Sequence, residues 1–147
     1  IGSWLTPVWE NIAGVIGGKA YSLNDIEHGI LRKMGDPHIH AAIVCASVSC
    51  PDLRAKSYKP DELNAQLDYQ MERLLANEAK GFFVHQTESA IYISQIFKWF
   101  KKDFQKHGGV LTCIEKHAPI EARQYLKYVE KGGYSIKYFD FNWNLNE

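Results

Sequence analysis

The chain has 147 residues, long enough to bury a core without help from a metal ion or disulfides. Hydrophobic residues make up 46% and charged residues 23%, the proportions of a soluble globular protein rather than a disordered one. Lys+Arg and Asp+Glu both number 17, so composition offers no electrostatic footprint for nucleic acid, and the apolar runs fall far short of the roughly 20 residues a membrane-spanning helix needs.

In chain order, residues 10–21 read as a hairpin, with Ile12, Val15 and Ile16 leading into Gly17-Gly18, a pair that can take the positive φ of a tight turn. Ser22 then opens a helix: Asp25 three residues on is a carboxylate variant of the capping box, and Leu23, Ile26, Ile30 and Met34 follow at helical spacing up to Gly35-Asp36-Pro37. Residues 39–45 are the best strand candidate, between Pro37 and a Ser/Cys/Pro bend. The longest helix starts near Pro60, with Asp61 and Glu62 at its positive end and Leu63, Leu67, Met71, Leu74 and Leu75 along one face.

Residues 82–84 and 90–93 flank a polar loop containing His85 and read as a second hairpin. Ser94 caps a helix whose apolar face is Ile96, Phe97, Phe100 and Phe104, ended by Gly108-Gly109 with His107 at the C-terminal turn. Helices near 110–117 and 119–130 follow, with Cys113, in register with Val110 and His117, reading as a core residue, and an aromatic tail from Tyr134 to Trp143 closes the sheet or packs on it. With no repeat or linker in view, the expectation is a single α+β domain over residues 1–147, a small mainly antiparallel sheet packed with several helices.

The strings SLNDIEHGILRKMGDPHIHAAIVCASVSCPDL, ISQIFKWFKKDF and YFDFNWNLN, in this order, resemble the domain of unknown function numbered 547. The resemblance runs from about Trp4 to about Asn146. It implies the C-terminal portion of a larger domain, because the family's upstream helix with a Trp-Ile-Asn-x-Tyr-Asn-Ala string is absent and the chain opens on Ile1 with no Met or leader. It also leans towards an exported, periplasmic or extracellular protein, since many bacterial members look exported whereas plant members look intracellular. The family pattern keeps only the second of the two histidines of residues 38–40, which makes His38 incidental.

Chemistry concentrates in residues 38–54. As a strand, His38, His40, Ala42 and Val44 would share one face while Cys45 joined Ile39 and Ile43 on the other, so Cys45 reads as a buried thiol. Cys50 lies in the following loop and is the candidate nucleophile of a cysteine/histidine hydrolase or acyl-transferase acting on a peptide-like amide or ester. A thiol with pKa near ~8.5 needs a base, for which His40 is first choice, with His28 and Asp25 as supporting groups three residues apart on a helix face continued by Arg32. Loop amides near Ser47 would hold an oxyanion, and Ser47, Ser49 and Arg54 would bind substrate.

Two rival readings use the same residues. Cys45 and Cys50 can form a disulfide around Ala46, Ser47, Val48 and Ser49, leaving a non-catalytic protein-interaction module that meets a protein or peptide through Trp99, Tyr92, Phe104 and Trp143. Alternatively, Asp36, His38 and His40 on one strand face, with Cys50, form a metal site around His40. Neither of the first two readings calls for a cofactor.

Overall fold

A computed structural model describes residues 8–146; Ile1–Pro7 and Glu147 lie outside the described residues, and with them the expected start of the resemblance near Trp4. Secondary structure is α+β, as composition and patterning led us to expect. The chain divides into two compact units, Ile1–Pro37 and His38–Glu147.

In the first unit, β1 (Ile12–Ile16) and β2 (Lys19–Ser22) pair antiparallel with a bulge between Ile12 and Gly14. Gly17 at φ 57° and Gly18 at φ 80° supply the two left-handed positions of the hairpin turn. The expected capping box is present. Ser22 N–H donates to Asp25 Oδ2 at 2.9 Å, and Asp25 N–H donates back to Ser22 Oγ at 3.0 Å. The helix that follows is wide-wound over Asp25–Leu31, tightens into a 3-10 turn over Arg32–Met34, and stops at Gly35, whose φ of 82° closes it.

The second unit begins with a departure from expectation. Residues 39–45 are not a strand: α1 (Ile39–Ala42) is a single helical turn, followed by extended backbone at Ile43. Ala41 N–H donates to the His38 carbonyl at 3.0 Å and Ile43 N–H to that of Ile39 at 2.8 Å. Pro37 presets the φ of a helix start, Ala41 and Ala42 favour the turn, and so short an apolar run has no period to decide between strand and helix.

α2 (Leu63–Leu75) follows a 3-10 turn over Pro60–Glu62 and buries Leu67, Met71, Leu74 and Leu75. β3 (Phe82–His85) and β4 (Ala90–Ile93) form the second hairpin, with His85 the last strand residue rather than part of the loop. Ser94 caps α3 (Gln95–Trp99), its Oγ accepting from Ile96 N–H at 3.4 Å. The single helix expected there is two: the backbone breaks at Phe100 (φ −104°) before α4 (Lys101–Gln105).

α5 (Val110–His117) and α6 (Ile120–Glu130) return the chain to β5 (Ser135–Tyr138), which pairs parallel to β4 and completes the order β3-β4-β5. One core is shared by α2, the sheet and the helices, with Met71, Ile91, Phe97, Phe104 and Ile114 essentially fully buried. Among the described residues no helix is long and apolar enough to cross a membrane.

Gly81, between α2 and β3, sits tight against the end of α2: a Cβ there would overlap the carbonyl group of Leu74. Gly81→Ala should therefore lower stability by more than about 2 kcal/mol, because the clash is with backbone and not with a side chain that can turn away. Urea denaturation of the variant beside the unaltered chain measures this, and an unchanged midpoint would contradict the geometry.

Candidate functional site

Cys45 and Cys50 are joined by a disulfide. Inside the ring the chain turns sharply: Ala46 takes φ 58°, Cys50 N–H donates to the Ser47 carbonyl at 3.0 Å, and Cys45 N–H points at Cys50 Sγ at 3.1 Å. Ser47 Oγ lies 3.1 Å from Cys45 Sγ. In this state neither sulfur is a thiolate, so the geometry does not supply the nucleophile assigned to Cys50.

The loop is clamped from both sides. Along its outer edge it pairs with the C-terminal tail: Val48 N–H donates to the Asn144 carbonyl at 2.9 Å, Ser49 N–H to that of Asn142 at 3.3 Å, and Asn146 N–H to that of Ala46 at 2.9 Å. Ser49 Oγ accepts from Asn142 N–H at 2.9 Å, and Ser47 faces Leu145 in an antiparallel bridge. Beneath it, Lys80 Nζ donates to the Cys50 carbonyl at 2.8 Å and to Asp52 Oδ1 at 2.6 Å. Gln70 on α2 donates to the Asp52 carbonyl at 3.0 Å.

An oxyanion hole requires amides aimed at the place where negative charge develops. Here the amides of Cys45, Val48, Ser49 and Cys50 all donate within the protein. Ser47 and Ser49, assigned to substrate, are buried and bonded as described, while the Arg54 guanidinium lies 5.3 Å from the ring centre of Tyr58.

His40 is 4% exposed, which makes its contacts decisive. Its Nε2–H donates to Asp103 Oδ2 at 2.9 Å, and its ring stacks on Phe100 at 3.8 Å between centroids. It therefore has the surroundings of a hydrogen-bonded core histidine, with Asp103 on α4 as a partner the sequence reading did not identify. The metal set around His40 is corrected on two counts. Residues 38 and 40 occupy a helical turn, where positions two apart do not share a face, and Cys50 is in the disulfide.

His28 and Asp25 belong to the first unit. Asp25 is engaged by Ser22, and those bonds, from the backbone amide first and the hydroxyl second, hold its carboxyl below the ordinary range. His28 Nδ1 lies 3.1 Å from Arg32 and 3.9 Å from Glu27; among the described residues no hydrogen bond joins it to Asp25.

A second polar cluster lies around α5, where the sequence reads Cys113 as core and His38 as incidental. His117 Nε2 is 2.9 Å from Asp68 Oδ1, which also accepts from Lys116 Nζ at 3.0 Å and lies 3.5 Å from His38 Nε2. Burial alone would raise the Asp68 carboxyl, but the bonds from His117 and Lys116 outweigh it and hold the pKa below its ordinary value. The i, i+4 spacing of Cys113 and His117 was legible; their meeting with residues 38 and 68 was not.

Trp99, Phe141 and Trp143 form an aromatic surface cluster beside the clamped loop, with ring centres 4.4 to 5.7 Å apart. Trp99 and Trp143 remain 46% and 67% exposed, enough to present ring faces to a partner. Residues 3–75 match the family model described as "Protein of unknown function, DUF547". The resemblance expected from the sequence thus holds over about half the chain; the two later strings that carried it lie beyond the matched residues. No curated protein and no solved structure matches the chain.

Counting thiols checks the redox assignment. Denatured without reductant, each chain should expose one thiol, that of Cys113, and after reduction three. Three reactive thiols in denaturant alone would remove the disulfide from the account.

Proposed function

From the premise of a chain resembling DUF547, we propose that it is a non-catalytic protein-interaction module, with residues 1–147 working as one α+β domain. On this reading the disulfide-stapled loop and the C-terminal tail form a fixed platform, and the aromatic cluster on the tail receives a peptide segment of a partner protein. The observation that carries the reading is the cluster of exposed Trp99 on α3 with half-buried Phe141 and exposed Trp143 on a tail whose backbone is hydrogen-bonded to a covalently closed loop. Large aromatic side chains dominate interface energetics, and a surface already held in place loses little entropy on binding.

Val48 and Leu145, 41% and 62% exposed, extend the apolar area along the loop–tail pair. Exposed Lys98, Lys101 and Lys102 follow Trp99 or precede it in sequence. The platform thus suits a peptide whose apolar side chains are flanked by carboxylates, the lysines adding attraction at the rim more than buried contact.

The hydrolase reading receives less support because its nucleophile, oxyanion donors and base are each engaged in structural contacts. Exported surroundings, implied by the resemblance, would keep the disulfide oxidised and so agree with the module reading.

Random peptides displayed on phage and selected on the oxidised protein provide the probe. Selected sequences should carry aromatic or apolar residues with Asp or Glu nearby, and Trp99→Ala and Trp143→Ala should each weaken them about 30-fold, the effect of losing ~2 kcal/mol at a central anchor. Trp9→Ala, in the other unit, should leave affinity unchanged. Peptides that bind both variants as well as the unaltered chain, or hydrolysis of an amide or ester that appears on reduction and disappears in Cys50→Ser, would overturn the proposal.

A further inference from the structure

The cluster around α5 plays no part in the module reading, yet it joins four side chains, of three types, that suit a borderline-soft metal ion. We propose that His38, Asp68, Cys113 and His117 form a closed, structural site for a divalent ion of the zinc class.

The ligands come from three elements: His38 from the turn before α1, Asp68 from α2, and Cys113 with His117 from one face of α5. One ligand atom from each of His38, Cys113 and His117 lies within 4.8 Å of the others. Zn–N and Zn–S bonds of about 2.0 and 2.3 Å set tetrahedral N and S ligands roughly 3.3 to 3.5 Å apart, so side-chain shifts of about an ångström bring these three atoms onto one ion, with Asp68 as the fourth ligand. Asp68 Oδ1 is already 2.9 Å from His117 Nε2 and 3.5 Å from His38 Nε2. The rings of His38 and His117 meet edge to face with centroids 4.9 Å apart, as two imidazoles converging on one point do.

The hydrogen bonds also orient His117 for this task. Its Nδ1 lies 2.9 Å from the Cys113 carbonyl, an acceptor, and 3.8 Å from Cys113 Sγ, so Nδ1 carries the proton and Nε2 is turned to Asp68, leaving the Cys113 sulfur to turn towards it on loading. A metal-bound histidine generally donates its other ring N–H in this way, and a backbone carbonyl fixes the tautomer. In the metal-free arrangement a second proton occupies the Nε2···Oδ1 hydrogen bond.

Charge balances on loading. One proton leaves the Cys113 thiol and one leaves His117 Nε2, and the thiolate and the Asp68 carboxylate then neutralise a divalent cation. Lys116, bonded to the same carboxylate oxygen, is 61% exposed on its side chain and free to swing into solvent when the ion takes its place. Four protein ligands leave no open position, with Cys113 and His117 buried and His38 and Asp68 partly so, which points to cross-bracing of α2 and α5 rather than to catalysis.

The test uses the oxidised chain, so that only Cys113 offers a thiol, freed of metal by chelator and titrated with Co²⁺ alone. Uptake of about one equivalent, with tetrahedral d–d bands and a sulfur-to-cobalt charge-transfer band that Zn²⁺ abolishes, is the expected result. Cys113→Ser should lose the charge-transfer band, and His38→Ala, at the cluster's partly exposed edge, should weaken binding at least ~10-fold, circular dichroism verifying that each folds. A rise in the unfolding temperature of the unaltered chain with added Zn²⁺ provides a readout that depends on no variant. No uptake, no thermal shift, or a charge-transfer band that survives Cys113→Ser would overturn the proposal.

Discussion

The Cys45–Cys50 bond encloses only four residues, and closing so small a ring removes just about 2 kcal/mol of unfolded-state entropy in the loop-closure model. Its larger consequence is geometrical. Ala46 is held at positive φ, where a β-carbon is strained, and the outward-facing amides of Val48 and Ser49 are presented as a short edge to which the C-terminal tail adds itself. Residues nearly a hundred positions apart are thereby brought together, and the aromatic side chains of the tail acquire a fixed place on the surface. Lys80 and Gln70 hold the exit of the loop against α2, so the bend is braced covalently, along its edge and from below.

That bracing engages the reactive residue types that crowd this one segment. Each reactive group has a structural partner: sulfur with sulfur, His40 with Asp103 and Phe100, Ser49 with Asn142, and the loop amides with tail carbonyls. Buried polar groups left unpaired cost free energy comparable to a lost hydrogen bond, so a bend built from Ser and Cys must satisfy them internally or by water. The same accounting, applied around α5, leads elsewhere. There two imidazoles, a thiol and a carboxylate face one another, and a cation could replace the proton they share.

What the sequence disclosed follows from range. Gly17-Gly18, the Ser22/Asp25 box, the stripe of α2 and the Ser94 cap are set by residues within a few positions of each other, and all four were legible. The turn at 39–42 was not, because alternation and helical period coincide over so few apolar residues and the absence of a neighbouring strand is a tertiary fact. Asp103 beside His40, Lys80 beneath the loop and Asp68 between two histidines are contacts across 28 to 63 positions, which a single sequence does not encode in any spacing. The break at Phe100 belongs with these, since its ring is drawn against His40 from a different element.

The account rests on the closed loop organising the tail. Amide hydrogen exchange, resolved by residue and measured on oxidised and on reduced protein, tests this most directly. The oxidised form should protect the amides of Val48, Asn142 and Asn146, and reduction should release all three while the β3–β4 hairpin amides keep their rates. Equal exchange of the three amides in both forms would contradict the dependence of the tail on the disulfide.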